Sequence, residues 1–175
     1  MKYLVLGGAR SGKSSFAEKL ARESGLDVLY IATAQVNDYE FSERVEHHKK
    51  RRPASWGLVE EPFYLAKTLS EYAREDRFLL VDCLTLYLAQ WTCSECNPPL
   101  EKSWGQERDD LIRCLKSLPG QIALVSNEVG LGIVPMGEIN RRYQDEAGRL
   151  NQAVASVCDQ ALFMVAGLPL KLKGE

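Results

Sequence analysis

The fold is decided by the first twenty residues, Met1-Lys2-Tyr3-Leu4-Val5-Leu6-Gly7-Gly8-Ala9-Arg10-Ser11-Gly12-Lys13-Ser14-Ser15-Phe16-Ala17-Glu18-Lys19-Leu20. Residues 2–6 read as a strand whose apolar stretch of four residues, Tyr3–Leu6, stops at a glycine pair, which predicts a buried strand rather than an export signal. Residues 13–23 carry a helical period, with Phe16, Leu20 and Ala17 expected to face inward, and Gly25 closes the helix. Between strand and helix, Gly7, Gly8, Ala9, Arg10, Ser11, Gly12, Lys13 and Ser14 match G-x-x-x-x-G-K-[ST] without a mismatch. The glycines let backbone N–H groups wrap a polyphosphate, and Lys13 neutralises its outer phosphates. Ser14 offers a hydroxyl to Mg²⁺, and the helix adds its positive end. This is a nucleotide-binding loop, with Gly7–Ser14 as its contact residues.

Outward from that loop, the chain alternates strands and helices. Strands are expected at Val28–Thr33, Leu58–Glu60, Phe78–Asp82, Ile122–Ser126, Ala161–Val165 and Leu168–Lys173. Helices are expected at Asp38–Arg52, Tyr64–Arg74, Leu84–Trp91, Arg108–Leu118 and Glu138–Asp159. Cys93–Gln106 reads as an irregular, mobile loop, and Asn127–Gly137 as a functional one. Apolar strands alternating with helices predict an α/β fold, a mostly parallel sheet with helices on both faces. Ligands on such sheets sit beyond the carboxyl ends of the strands. The 175 residues fit one domain, 1–175.

A phosphate-binding loop works with an acid at a neighbouring strand end. Asp82 closes the run Phe78-Leu79-Leu80-Val81 and is the candidate Mg²⁺ ligand with Ser14; it could also cap the helix that follows. Glu128, just past another strand, could orient a nucleophile or cap a loop.

Net charge is -2, which offers no reason to expect nucleic acid. Charge is unevenly placed, however. Arg44–Arg52 holds five basic residues and one acid, so it carries +4 and the rest of the chain -6. On a helix over 38–52, Phe41, Val45, His48 and Arg52 share one stripe and His47 lies on another row. His48 therefore faces the protein body. Neighbouring cations favour its neutral imidazole, a nucleophile, and would hold a triphosphate. Local chemistry leaves open a structural histidine, a solvated basic face or a nucleic-acid patch. Two adjacent histidines do not converge on one metal. The five cysteines form no dense framework, so reduced thiols and a cytoplasmic location are expected. The lone Cys93-x-x-Cys96 pair is read as incidental.

Together these residues resemble the bifunctional adenosylcobinamide kinase / adenosylcobinamide-phosphate guanylyltransferase family of cobalamin biosynthesis. The resemblance runs nearly end to end. It rests on the Gly7–Ser14 loop, Tyr30-Ile31-Ala32-Thr33-Ala34, Arg44-Val45-x-x-His48-x-x-x-Arg52-Pro53 and the Trp56–Glu60 piece. It continues through Val81-Asp82-Cys83-Leu84-Thr85, Ser126-Asn127-Glu128-Val129-Gly130-x-Gly132-Ile133-Val134-Pro135 and Ala147-Gly148-Arg149-Leu150-Asn151-Gln152. The histidine helix and the 127–135 loop are the specific parts. The resemblance implies a RecA-like P-loop fold and a homotrimer. It implies phosphorylation of adenosylcobinamide by ATP or GTP, then transfer of GMP from GTP to adenosylcobinamide phosphate through a GMP-histidine. His48 matches that histidine. Lys49, Lys50, Arg51 and Arg52 match GTP contacts, as do Ala32, Thr33, Ala34, Glu60 and Asp82. No nucleic-acid partner and no membrane span are implied.

Overall fold

The computed structural model describes residues 1–34, 53–92 and 100–174. The histidine helix expected over 38–52, with His48 and Lys49–Arg52, lies outside the described residues, as does the Cys93–Cys96 pair. Seven strands form one sheet in the order β3-β2-β4-β5-β1-β6-β7. They are β1 (Lys2–Gly7), β2 (Asp27–Ala32), β3 (Gly57–Glu60), β4 (Arg77–Asp82), β5 (Gln121–Asn127), β6 (Gln160–Val165) and β7 (Leu168–Lys173). β7 alone runs antiparallel, against β6. The described helices are α1 (Lys13–Glu23), α2 (Leu65–Tyr72), α3 (Leu84–Thr92), α4 (Trp104–Leu115) and α5 (Glu138–Val157).

The central strands are apolar throughout because both faces are covered. Leu29 and Ile31, Leu79 and Val81, and Ile122 and Leu124 point to the side held by α2 to α5. Their alternates Val28 and Tyr30, Phe78 and Leu80, and Ala123 and Val125 point to the α1 side. This is the period of two that a pleated strand imposes. Helix α1 buries Ala17 and Ala21 completely, whereas Phe16 and Leu20 only flank the core. Ala17 thus faces inward as expected, and the stripe centres on Ala17 and Ala21 with Phe16 and Leu20 at its margin: small residues one turn apart let this helix lie close on the sheet. Gly25 does end it, with φ of 68°.

A correction concerns the segment 93–106. Helix α4 begins inside it, at Trp104, because Ser103 and Gln106 form a capping box. Gly105 reads as a breaker, yet the S-x-x-Q spacing outweighs it. Elsewhere the expected elements are present with ends shifted by one to three residues: α2 stops at Tyr72, α4 at Leu115 and α5 at Val157.

Helix α4 also carries a fully buried carboxylate, Glu107. One of its oxygens accepts the Ala66 amide at the start of α2 (2.9 Å) and the Tyr87 hydroxyl of α3 (2.5 Å). Lys102 forms an ion pair with the other. Burial pulls Lys102 down, but its bonds to Glu107 and Asp110 outweigh that and hold its ammonium above the ordinary range. Three helices are thereby tied to one side chain. Glu107→Ala leaves a buried hydroxyl and a helix-start amide without their acceptor. It is expected to cost about 3–5 kcal/mol, lowering Tm by roughly 10 °C in a thermal melt. Glu107→Gln keeps the accepting oxygen and should lose clearly less.

Candidate nucleotide site at the carboxyl edge of the sheet

Strand β1 delivers the chain to the carboxyl edge of the sheet, and α1 carries it away. Between them the loop turns in a way only its residue types permit. Gly7 has φ of 153°, and a Cβ there would come within 2.6 Å of the Met164 carbonyl and of Ser11 Oγ. Gly12, immediately before α1, has φ of 97°, in the left-handed region that glycine tolerates. The loop is braced on both sides. Glu128 N, beyond β5, donates to Gly7 O (3.0 Å), and Gly167 N, in the β6–β7 turn, donates to Ser11 O (3.0 Å).

Lys13 is the first residue of α1 and is buried. Its Nζ donates to Gly8 O at 2.5 Å, so the ammonium folds back over the loop. Desolvation lowers its pKa, while the nearby Asp82 carboxylate acts in the opposite direction. A phosphate is the natural compensation for a cation held in that position. The Ser11 hydroxyl is buried with no partner among the described residues, a further polar group inside the cradle.

The other expected contacts occupy one row of the same edge. Glu60 of β3 pairs in register with Ala32 of β2, and Ala32 pairs with Asp82 of β4. Asn127 of β5 pairs with Gly7 of β1. Two strand steps separate Asp82 from β1, roughly 10 Å, and four separate Glu60, roughly 19 Å. The edge is thus continuous, with the phosphate loop and Glu60 well apart along it.

Two strand ends are stapled by Thr33, which is fully buried. Its hydroxyl donates to Cys83 O (2.6 Å) and accepts from Cys83 N (2.9 Å). Thr33 had been expected as a nucleotide contact; its hydroxyl is spent on fixing β2 against the end of β4. Asp82 accepts a hydrogen bond from the Tyr30 hydroxyl at 3.0 Å. Nothing in the run Asp27–Ala32 signals that role, because a tyrosine in a buried strand reads as core. Glu128 caps its loop: its Oε1 accepts Gly130 N at 2.6 Å. Thr85 Oγ1 accepts Asn127 N (2.6 Å) and Tyr143 OH donates to Thr85 O (2.8 Å), which ties the end of β5 to α3 and α5. Burial, with Asp82 adding, pushes the Cys83 thiol up to about 11. It stays protonated at neutral pH and is no nucleophile.

The residues fit a nucleotide with its Mg²⁺. A serine hydroxyl and a carboxylate are the hard oxygen donors that ion prefers. Ser14 follows Lys13 in the first turn of α1, and Asp82 lies within electrostatic reach of Lys13. Among the described residues, no helix is long and apolar enough to cross a membrane.

The fold resembles a Pyrococcus horikoshii OT3 structure with a TM-score of 0.55 and 12% identity, covering 99% of this chain and 86% of that one. It also resembles the RadB recombinase, with a TM-score of 0.50 and 14% identity over 93% of this chain and 73% of that one. These likenesses support the P-loop fold alone. Sequence relatives go further. A bifunctional adenosylcobalamin biosynthesis protein, CobP, of Pseudomonas aeruginosa is 56% identical over all of this chain and 99% of its own length. The protein of that description from Salmonella typhimurium, CobU, is 37% identical over 99% of this chain and all of its own. The model of the cobinamide kinase / cobinamide phosphate guanyltransferase family matches residues 3–172. With a phosphate-binding loop at one end of the sheet edge and Asp82, Ala32 and Glu60 further along it, the chain belongs to the cobinamide kinase / cobinamide phosphate guanyltransferase family.

Proposed function

We propose that this chain carries out both reactions of its family on one sheet edge, within a single domain. In the first, the side-chain hydroxyl oxygen of adenosylcobinamide attacks the γ-phosphorus of ATP or GTP. The nucleoside diphosphate leaves, and the hydroxyl proton passes to a base or to water. Gly7–Ser14 wrap the phosphates, and Lys13 balances the charge that shifts onto the leaving oxygens. Ser14 and Asp82 hold Mg²⁺, with Tyr30 orienting the Asp82 carboxylate. The ion, when bound, neutralises charge on the phosphate oxygens.

In the second reaction a ring nitrogen of His48 attacks the α-phosphorus of GTP and pyrophosphate leaves. The P–N bond then breaks as an oxygen of adenosylcobinamide phosphate takes the GMP, and His48 is regenerated. Splitting the displacement in two is covalent catalysis. Lys49, Lys50, Arg51 and Arg52 grip the triphosphate, while Ala32, Ala34 and Glu60 receive the rest of the nucleotide, with buried Thr33 holding β2 against β4 beneath them. Support for one shared edge comes from the strand pairing: Glu60, Ala32 and Asp82 share one row with Val125, and the Gly7–Asn127 pair lies two residues beyond it on the same carboxyl edge. The sequence also holds one G-x-x-x-x-G-K-[ST] loop. We place the protein in the cytoplasm, with its nucleotide substrates.

The overall reaction is tested by supplying adenosylcobinamide and γ-labelled ATP, then unlabelled GTP. Label on the corrinoid in the first step and a GDP-corrinoid in the second are expected. Phosphorylation without the second product would reduce the chain to a small-molecule kinase.

We also propose a homotrimer. Leu168, Leu170 and Leu172 alternate along edge strand β7 and all are exposed. Apolar side chains exposed in a row along an edge strand form a surface that another copy would cover. Leu170→Glu is expected to reduce the mass measured by light scattering from three subunits towards one. An unchanged mass would remove β7 from the interface.

A further inference from the structure

A second apolar surface stands on the other side of the phosphate loop. Leu131, Ile133, Val134 and Met136, between β5 and α5, are all exposed, as is Ile139 in the first turn of α5. Ile133 is 97% and Met136 96% exposed. Yet the loop is held at several points. Glu128 caps Gly130, and Gln144 Nε2 donates to Val129 O at 2.8 Å. The Arg141 guanidinium donates to the Pro135 and Met136 carbonyls at 3.2 and 2.6 Å. A backbone fixed in this way presents its apolar side chains to solvent instead of folding them in. Contiguous exposed apolar surface of this kind marks a binding surface, and fixing it beforehand reduces the ordering cost of binding.

Its position selects the occupant. The loop leaves the sheet beside the phosphate cradle, where Asn127 pairs with Gly7 and Glu128 N reaches Gly7 O. A nucleotide held by phosphates and backbone amides has no use for five aliphatic side chains. The acceptor does: a corrinoid is a broad macrocycle with apolar faces and an amide-bearing rim, and its alcohol must reach the terminal phosphate. We infer that residues 131–139 form the lip against which the corrinoid macrocycle rests, so that Ile133 and Met136 set affinity for the acceptor and not for the nucleotide. The inference rests on the proposed kinase activity, since it takes its ligand from that reaction.

Ile133→Ser, Met136→Ser and the double variant test it in the full-length chain. Cobinamide binding is measured by equilibrium dialysis, GTP binding separately, and assembly by light scattering. Burying one such side chain contributes about a factor of ten or more in affinity. Each single variant should therefore weaken cobinamide binding about tenfold, and the pair on the order of a hundredfold. KM for cobinamide should rise in step, with kcat at saturation, GTP affinity and assembly unchanged. Ile133→Leu should bind as the parent does. Unchanged cobinamide affinity in the double variant would overturn the inference, as would a loss that appears only with dissociation of the assembly. A parent chain that binds cobinamide through this loop yet transfers no phosphate would contradict the proposed activity and leave the lip standing.

Discussion

Lys13→Met is expected to lower kcat for phosphoryl transfer by about 10²–10³-fold, the usual loss when one preorganised cationic or hydrogen-bond donor is removed. Guanylyl transfer should fall with it under the proposal that one phosphate loop serves both reactions. The substitution removes the ammonium but keeps an unbranched stem of similar length, so packing against the loop survives. Stability should not suffer. The Lys13 ammonium is desolvated, with its pKa lowered by burial, and replacing a buried cation with an apolar group is commonly neutral or stabilising. The variant should melt within about 1 kcal/mol of the parent. Steady-state kinetics beside a thermal melt checks both halves. Activity near that of the parent would mean that Lys13 does not meet the transferring phosphate.

His48→Ala should separate the two reactions. Phosphorylation of adenosylcobinamide needs no covalent intermediate and should persist within a few-fold of the parent. Formation of adenosyl-GDP-cobinamide should fall by at least about 10⁴-fold, as expected when a nucleophile is deleted. Supplying adenosylcobinamide phosphate and GTP directly isolates the second step. Equal loss of both reactions would show that His48 supports the fold or the phosphate loop instead. The contrast with Lys13→Met is diagnostic: one variant loses both activities, the other only the second.

The sheet was legible because its signals are local and redundant. Val28–Ile31, Phe78–Val81 and Ile122–Val125 are too short for helices and too apolar for one-sided strands. The glycine and lysine positions of the loop left little alternative to a phosphate cradle. Helix α4 was misjudged at its start because Gly105 and the preceding prolines spoke for a loop, while the Ser103–Gln106 capping box needed to be read as a start signal. On α1 the expected Ala17 is fully buried, whereas Phe16 and Leu20 lie at the margin of the core because close helix–sheet packing favours Ala17 and Ala21. Within the site, the expected acid Asp82 stands at the end of its strand. Its partner Tyr30 and the Thr33–Cys83 staple are contacts between residues about fifty positions apart, and no local pattern encodes them. The loop 127–137 is legible as a functional segment, but its anchoring by Arg141 and Gln144 of α5, which leaves its apolar side chains exposed, is not.

The proposed guanylyl transfer depends on His48 acting as a nucleophile within the basic run Arg44–Arg52 of an otherwise acidic chain. Incubating the protein with α-labelled GTP and Mg²⁺, without any corrinoid, tests it most directly. Label is expected on the protein that acid removes and alkali does not, that maps to the peptide containing His48, and that chases into product when adenosylcobinamide phosphate is added. No label on the parent chain, or equal label on His48→Ala, would contradict it.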